Sequence, residues 1–116
     1  MAATIRKTAY FSMKIPNRAG QGARLLGALA ADGIDLLAFT GFPAAGGAQI
    51  DFIPRDAAKF SRAARRLGLK TSGRKTVFLA QGADAPGAIA GICGKLARAR
   101  ISLTAMDAVS AGKGRY

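Results

Sequence analysis

The chain has no histidine, no tryptophan, no glutamate and a single cysteine, and each absence removes a class of chemistry. Without histidine there is no imidazole base, no histidine-activated nucleophile and no imidazole metal ligand. A lone Cys93 excludes an intramolecular disulfide and a thiolate metal site. Asp51, in a strand interior, has no second acid beside it to form an acid–base pair. The sequence therefore predicts a protein that is not an enzyme, with no cofactor, no catalytic residue and no metal ligand.

Long apolar runs are also missing. No stretch approaches the roughly 20 apolar residues that a membrane-spanning helix needs. The alternating run near the start of the chain is too short and too polar to be the apolar stretch of a signal peptide. Cys93 falls on the apolar stripe of a predicted helix, which indicates a small core residue rather than a reactive thiol. These features predict a cytoplasmic protein without a membrane partner.

Positive charge and apolar residues, by contrast, are abundant. Half of the 116 residues are hydrophobic, and the chain has 18 Lys and Arg but only six Asp, which gives a net charge of +12. This length suits one ordinary domain or two very small ones. We expect a folded chain with a strongly positive surface.

An internal repeat organises the sequence. An ungapped offset of 67 residues aligns the region after Asn17 with the region after Asp84. The identical pairs are Gly20 and Gly87, Ala23 and Ala90, Gly27 and Gly94, Leu29 and Leu96, Ala30 and Ala97, Ile34 and Ile101, Leu36 and Leu103, and Ala38 and Ala105. Since the aliphatic matches keep the phase of their elements, the pattern predicts a duplication.

The first copy has alternating strand and helix patterns. Residues 9–15 alternate as a half-buried strand with Phe11, Met13 and Ile15 on one face, and residues 20–32 form an amphipathic helix that ends at Gly33. Strands over 34–42 and 48–53 make a hairpin. Asn17 stands where a helix cap is expected, as does Asp84 in the second copy.

The remaining elements complete the unit. Asp56 opens a second helix that ends at Gly68, and residues 75–81 form a strand. On this helix an apolar face of Ala57, Phe60, Ala64 and Leu67 opposes a solvent face of Lys59, Arg62, Arg65 and Arg66. The order predicts an α+β, ferredoxin-like βαββαβ fold, one antiparallel sheet with both helices on one face, followed by a partial second copy, βαβ. We place the first unit at residues 1–75 and the incomplete one at 76–116. Either the sequence is truncated, or another chain completes the half-unit.

These segments resemble the ACT domain family, in particular stand-alone proteins with tandem ACT domains. IPNRAGQGARLLGALAADGIDLLAF and GADAPGAIAGICGKLARARISLTAM carry the resemblance, which covers about residues 9–110. The shared feature is an apolar strand, a loop of Asn or Asp followed three residues later by Gly, and an apolar helix. The second copy departs from the pattern at Arg100, where the first has Gly33.

The resemblance implies non-enzymatic, regulatory sensing of a small molecule, most often an amino acid, by units that pair with one another in a homo-oligomer. It places the ligand at the loops after the first strands. The implied binding residues are Asn17, Arg18, Ala19, Gly20 and Gln21 in the first copy, and Asp84, Ala85, Pro86 and Gly87 in the second.

Physical chemistry gives such loops a reason to bind an amino acid. A glycine at the first turn leaves backbone N–H groups accessible at a helix N-terminus, where the dipole favours a carboxylate. Asn17 adds an amide, and Asp84 supplies a carboxylate for an ammonium group. Plain helix capping by Asn17 and Asp84, and tight turns at Gly20 and Gly87, explain the same residues without a ligand.

A basic nucleic-acid-binding module is the alternative function. A sequence pI near 11.2 is typical of phosphate binding, and the RNA-recognition motif shares the ferredoxin-like fold. The central strand AQIDFI nevertheless lacks that module's signature. Tyr10, Phe39 and Phe52 remain candidates to lie on the sheet and stack on bases.

Overall fold

A computed structural model describes residues 3–116, in which four strands and three helices follow one another along the chain. The elements are β1 (Thr4–Ile15), α1 (Gln21–Ala31), β2 (Leu36–Ala44), β3 (Gly47–Pro54), α2 (Ala57–Arg66), β4 (Lys75–Gln81) and α3 (Ala88–Arg98). The strands form one antiparallel sheet in the order β2-β3-β1-β4. The predicted ferredoxin-like fold is confirmed, and β4 has the predicted bounds.

The register of the sheet decides which side chains meet the helices. Phe11 of β1 lies opposite Phe52 of β3, and Phe52 lies opposite Phe39 of β2. Because side chains alternate between the two faces of a strand, these three rings share one face. Leu29 of α1 and Phe60 of α2 join the same buried cluster, so both helices cover that face.

The chain divides into two compact units, Lys7–Val77, and Phe78–Tyr116 with the start of β1. The Lys7–Val77 unit has a dense aromatic core. Phe52 and Phe60 are 0 % exposed, with ring centroids 5.2 Å apart, and Phe11 stacks on Phe60 at 4.8 Å. Leu25 and Leu29 of α1 are buried beside them. Burial of this apolar area is the main stabilising contribution to this unit.

Two predictions about helix ends are wrong. Asn17 and Asp84 do not cap the helices, since the N-cap positions of α1 and α3 are Gly20 and Gly87 and no side chain caps either helix. Leu67 does not complete the buried face of α2, because it follows the last helical residue and is 37 % exposed. Asp56 does cap α2, accepting a hydrogen bond from the Lys59 N–H at 3.0 Å.

The two copies of the repeat adopt the same local structure. Helices α1 and α3 both contain 11 residues at the 67-residue offset, and each follows a left-handed glycine, with φ of 88° at Gly20 and 86° at Gly87. A left-handed residue also follows each helix two positions after its last residue, namely Gly33 with φ of 71° and Arg100 with φ of 59°. A side chain makes this conformation unfavourable, so Arg100 carries a cost of about 1 kcal/mol that Gly33 avoids.

The second copy stops short of the predicted βαβ. Residues 101–110 are exposed and form no strand, which corrects that part of the prediction. In the first copy β2 pairs along its length with β3, whereas residues 101–110 of the second copy have no such pairing. A strand without a partner leaves its backbone groups unpaired, so the apolar pattern alone does not form one.

Cys93 is only half-buried, with its Sγ 3.6 Å from the Met106 Sδ.

Candidate functional site

The first predicted site loop connects β1 to α1. The backbone N–H of Arg18 donates to the Pro16 carbonyl at 3.0 Å, and the N–H of Gln21 donates to the Arg18 carbonyl at 3.3 Å. These bonds fold residues 16–20 into a tight bend whose side chains are exposed. The predicted residues 17–21 therefore lie together, with residues 17–20 exposed and Gln21 half-buried.

The start of α1 faces this loop without a side-chain cap. The first turn of a helix leaves backbone N–H groups unpaired, and the helix dipole places partial positive charge there. Within residues 3–116, neither Arg18 nor Arg24 forms an ion pair. The loop and the helix start together present a positive environment that suits a small anion such as a carboxylate.

The β2–β3 hairpin turn lies against the end of β1, where this loop begins. A Cβ placed on Gly47 would overlap the carbonyl oxygen of Ile15 and lie 3.6 Å from the Pro16 Cα. Only glycine, here with φ of 157°, permits this approach. Gly47 is a site-positioning residue that the sequence pattern did not predict, although a Gly46–Gly47 pair in a hairpin turn is a signal for a close backbone contact.

The second predicted loop, residues 84–87, has the same backbone but different neighbours. The N–H of Asp84 donates to the Gly114 carbonyl at 2.8 Å, and the Ser110 hydroxyl donates to the Asp84 carboxylate. The Tyr116 N–H donates to the Gly82 carbonyl at 3.0 Å. Residues 110–116 thus lie against this loop, and the carboxylate predicted to receive an ammonium group already accepts a hydrogen bond.

The aromatic residues named for base stacking lie mostly on the wrong side of the sheet. Phe52 is fully buried against Phe60, and Phe39 packs edge-on against Phe52 with centroids 5.6 Å apart. Tyr10 is on the opposite face, with the Lys75 Nζ 5.7 Å from its ring centroid. Because base stacking needs exposed rings on the open face, the sheet does not form the aromatic platform of the RNA-recognition motif.

Other kinds of site are sparse in the described part of the chain. Residues 3–116 contain no group of three or more acidic or cysteine side chains placed to hold a metal ion. None of the three helices has both the length and the apolar character to cross a bilayer.

No protein-family model matches the chain, and no curated protein sequence matches it. Several solved structures share its fold. A protein from Bacteroides thetaiotaomicron superposes with a TM-score of 0.74 and 17% identity over 96% of this chain and 76% of its own. The regulatory subunit of aspartate kinase from Thermus thermophilus, in a ligand-free form, gives a TM-score of 0.67 and 19% identity over 95% and 82% of the two chains. The corresponding subunit from Thermus flavus gives 0.62 and 20% over 98% and 82%.

Proposed function

We propose that this chain is a cytoplasmic, non-enzymatic regulatory protein that binds a small molecule, an amino acid, at the loops after β1 and β4. The first unit spans residues 1–75 and the incomplete second unit spans residues 76–116. The binding residues are Asn17, Arg18, Ala19, Gly20 and Gln21 in the first loop, and Asp84, Ala85, Pro86 and Gly87 in the second.

One observation carries the proposal: the same uncapped helix start with a left-handed glycine occurs twice. A Ser, Thr, Asp or Asn cap would stabilise either helix by a few tenths of a kcal/mol relative to glycine, and α2 has such a cap in Asp56. Both loop helices lack that cap, and although the first N–H of each, at Gln21 and Ala88, donates to a loop carbonyl, the N–H groups of the next two residues have no backbone partner within residues 3–116. A carboxylate ligand would satisfy those groups.

The similar structures support a regulatory role. Two of them are regulatory subunits of aspartate kinase, and one of these is described in a ligand-free form. In such a protein a ligand acts by binding one state more tightly than another, because an equilibrium shifts only by the difference in affinity.

Thermal unfolding of the full chain against the twenty amino acids tests the proposal, with a short oligonucleotide as a parallel ligand. An amino acid at about 100 times its dissociation constant should stabilise the folded state by about 2.7 kcal/mol. In a chain of this size that raises the midpoint by several degrees. If only the oligonucleotide shifts the curve, the amino-acid proposal is wrong.

Gly20→Ala and Gly68→Ala form a matched pair for locating the site. Both glycines are left-handed, with φ of 88° and 70°, and a Cβ would meet no atom within 4 Å at either position. Each substitution should cost about 1 kcal/mol of stability through backbone strain. Only Gly20→Ala should weaken the thermal response to the amino acid, because Gly68 ends α2. Equal loss in both variants would place the ligand elsewhere.

We also propose that the protein forms a homo-oligomer through the Phe78–Tyr116 unit. Helix α3 has no fully buried residue, whereas its counterpart α1 buries Leu25 and Leu29. Phe78 is 63% exposed and Val109 is 74% exposed, with Ile101, Leu103 and Met106 also open. An apolar surface of this kind marks an interaction site, and pairing of sheets or helices with a second copy would cover it.

Sedimentation equilibrium at increasing salt measures this association. Each copy carries a charge of +12, so screening should strengthen self-association as salt rises. The double variant Leu103→Ser, Val109→Ser should shift the chain toward monomer by at least about tenfold in dissociation constant, which corresponds to about 1.4 kcal/mol. Leu67→Ser, an exposed leucine of the other unit, should have no effect. A wild-type chain that stays monomeric at every salt concentration would refute the interface.

A further inference from the structure

A cleft of about 340 Å³ lies entirely within the Lys7–Val77 unit, between α2 and the segment that connects α2 to β4. Helix α2 contributes Ser61 and Arg65, and the connecting segment contributes Thr71 and Arg74. Phe11, only 3% exposed, is part of the apolar lining. The cleft thus combines two cationic side chains with three hydroxyl side chains, the third being Ser72, and with apolar residues.

The connecting segment is held in place by β1. The Ser72 N–H donates to the Ser12 carbonyl at 2.7 Å, and the Ser12 N–H donates to the Ser72 hydroxyl oxygen at 3.0 Å. The Ser72 hydroxyl in turn donates to the Gly73 carbonyl at 2.9 Å. These bonds hold the backbone on both sides of Ser72, so the main chain that carries Thr71 and Arg74 is in place before any ligand binds. Such preorganisation lowers the entropy cost of binding.

The charges in this cleft are uncompensated. No acidic side chain lines it, and within residues 3–116 neither Arg65 nor Arg74 forms an ion pair. A cleft of about 170 Å³ at the opposite end of α2 offers the contrast. There Arg55 pairs with Asp35 at 2.6 Å, and the Lys59 Nζ donates to the Gly33 carbonyl at 2.9 Å. The smaller cleft satisfies its own charges, whereas the larger one has the capacity to bind an external anion.

We propose that the larger cleft binds a phosphate monoester with a small apolar body. Arginine guanidinium groups match phosphate geometry, and a phosphate monoester carries close to two negative charges and three terminal oxygens. Two arginines from different elements, with Ser61 and Thr71 as hydroxyl donors, offer enough donors for three oxygens. A carboxylate has only two oxygens and a single negative charge, so it would match the two guanidinium groups and the two hydroxyl groups less completely. Leu69, the one apolar side chain of the lining that is not buried, offers a contact for a small organic group of the ester.

This site is separate from the loop after β1, and neither proposal depends on the other. The sequence pattern places Arg65 on a solvated helix face together with Arg62. The structure separates the two, because Arg65 lines the cleft and Arg62 does not. No sequence pattern reveals that difference, since it depends on where residues 69–74 cross the helix.

Titration of the full chain with phenyl phosphate, followed by calorimetry and by amide chemical shifts, tests the assignment. We expect the shifts to centre on residues 61–74, and Arg65→Gln and Arg74→Gln each to weaken binding by about tenfold. Arg62→Gln is the matched control, with the same charge change on the same helix, and should change the affinity less than twofold. Benzoate should bind at least tenfold more weakly than phenyl phosphate.

Three outcomes would overturn the proposal. The first is that phenyl phosphate does not bind at millimolar concentration to a chain with an intact unfolding transition. The second is that Arg62→Gln weakens binding as much as Arg65→Gln, because the basic surface as a whole would then attract anions. The third is that an oligonucleotide binds tightly and its affinity responds equally to all three substitutions, which would indicate a polyanion-binding face instead of a cleft.

Discussion

Phe60→Ala should lower the free energy of unfolding of the Lys7–Val77 unit by about 3–5 kcal/mol, the typical cost of removing a buried phenylalanine ring. Phe60 is 0% exposed, and its ring contacts Phe11 and Phe52 at centroid distances of 4.8 and 5.2 Å. Truncation removes transfer free energy and aromatic contacts together, and it leaves a cavity between α2 and the sheet. Urea unfolding monitored by circular dichroism measures the loss.

Phe42→Ala provides the control for this experiment. Phe42 lies on β2 and is 42% exposed, so its truncation should cost about 1 kcal/mol or less. If Phe60→Ala abolishes the folded state altogether, Phe60→Leu offers a milder measurement, with an expected cost of about 1–2 kcal/mol. Equal effects of Phe60→Ala and Phe42→Ala would contradict the placement of the core.

Local periodicity made the first unit predictable. The alternation of residues 9–15 assigned Phe11, Met13 and Ile15 to the face that the helices cover, and all three belong to or pack against the core. Glycine signals marked the ends of α1 and α2, where Gly33 and Gly68 adopt left-handed conformations. These features depend on residues close in sequence, which is why a single sequence reveals them.

Helix starts were less predictable. Asn17 has the better capping propensity, but the chain enters α1 through Gly20, whose left-handed conformation only glycine adopts without cost. Whether the helix begins after Asn17 or three residues later, after Gly20, depends on the direction in which the chain leaves β1. Propensity does not contain that information.

Tertiary pairing explains the remaining differences. Residues 101–110 have a strand-like apolar pattern, yet a strand needs a neighbour to pair with, and in the first copy that neighbour is β3. Likewise, the proximity of Gly47 to Ile15 follows from the register between β1 and β3, which places Ile15 opposite Ala48. A contact across strands that are distant in sequence becomes visible only once the register is known.

Gly47→Ala should destabilise the Lys7–Val77 unit by about 2–3 kcal/mol, since it combines an unfavourable backbone conformation with a collision against rigid main chain. The added Cβ would overlap the Ile15 carbonyl oxygen, and neither partner is a flexible side chain that can move aside. Gly46→Ala is the matched control in the same turn. Gly46 has φ of 80° and no atom within 4 Å of an added Cβ, so only the conformational cost of about 1 kcal/mol applies.

The effect of Gly47→Ala should extend into the proposed binding loop. To relieve the overlap, either the hairpin turn or the end of β1 must shift, and Pro16 leads directly into residues 17–20. Amide chemical shifts of Asn17 to Gly20 should therefore change in Gly47→Ala but not in Gly46→Ala, and the response to whichever amino acid stabilises the wild type should weaken in the same variant only. Unchanged amide chemical shifts in the loop of Gly47→Ala would mean that the hairpin turn moves instead of the end of β1. The hairpin would then have no part in positioning the loop.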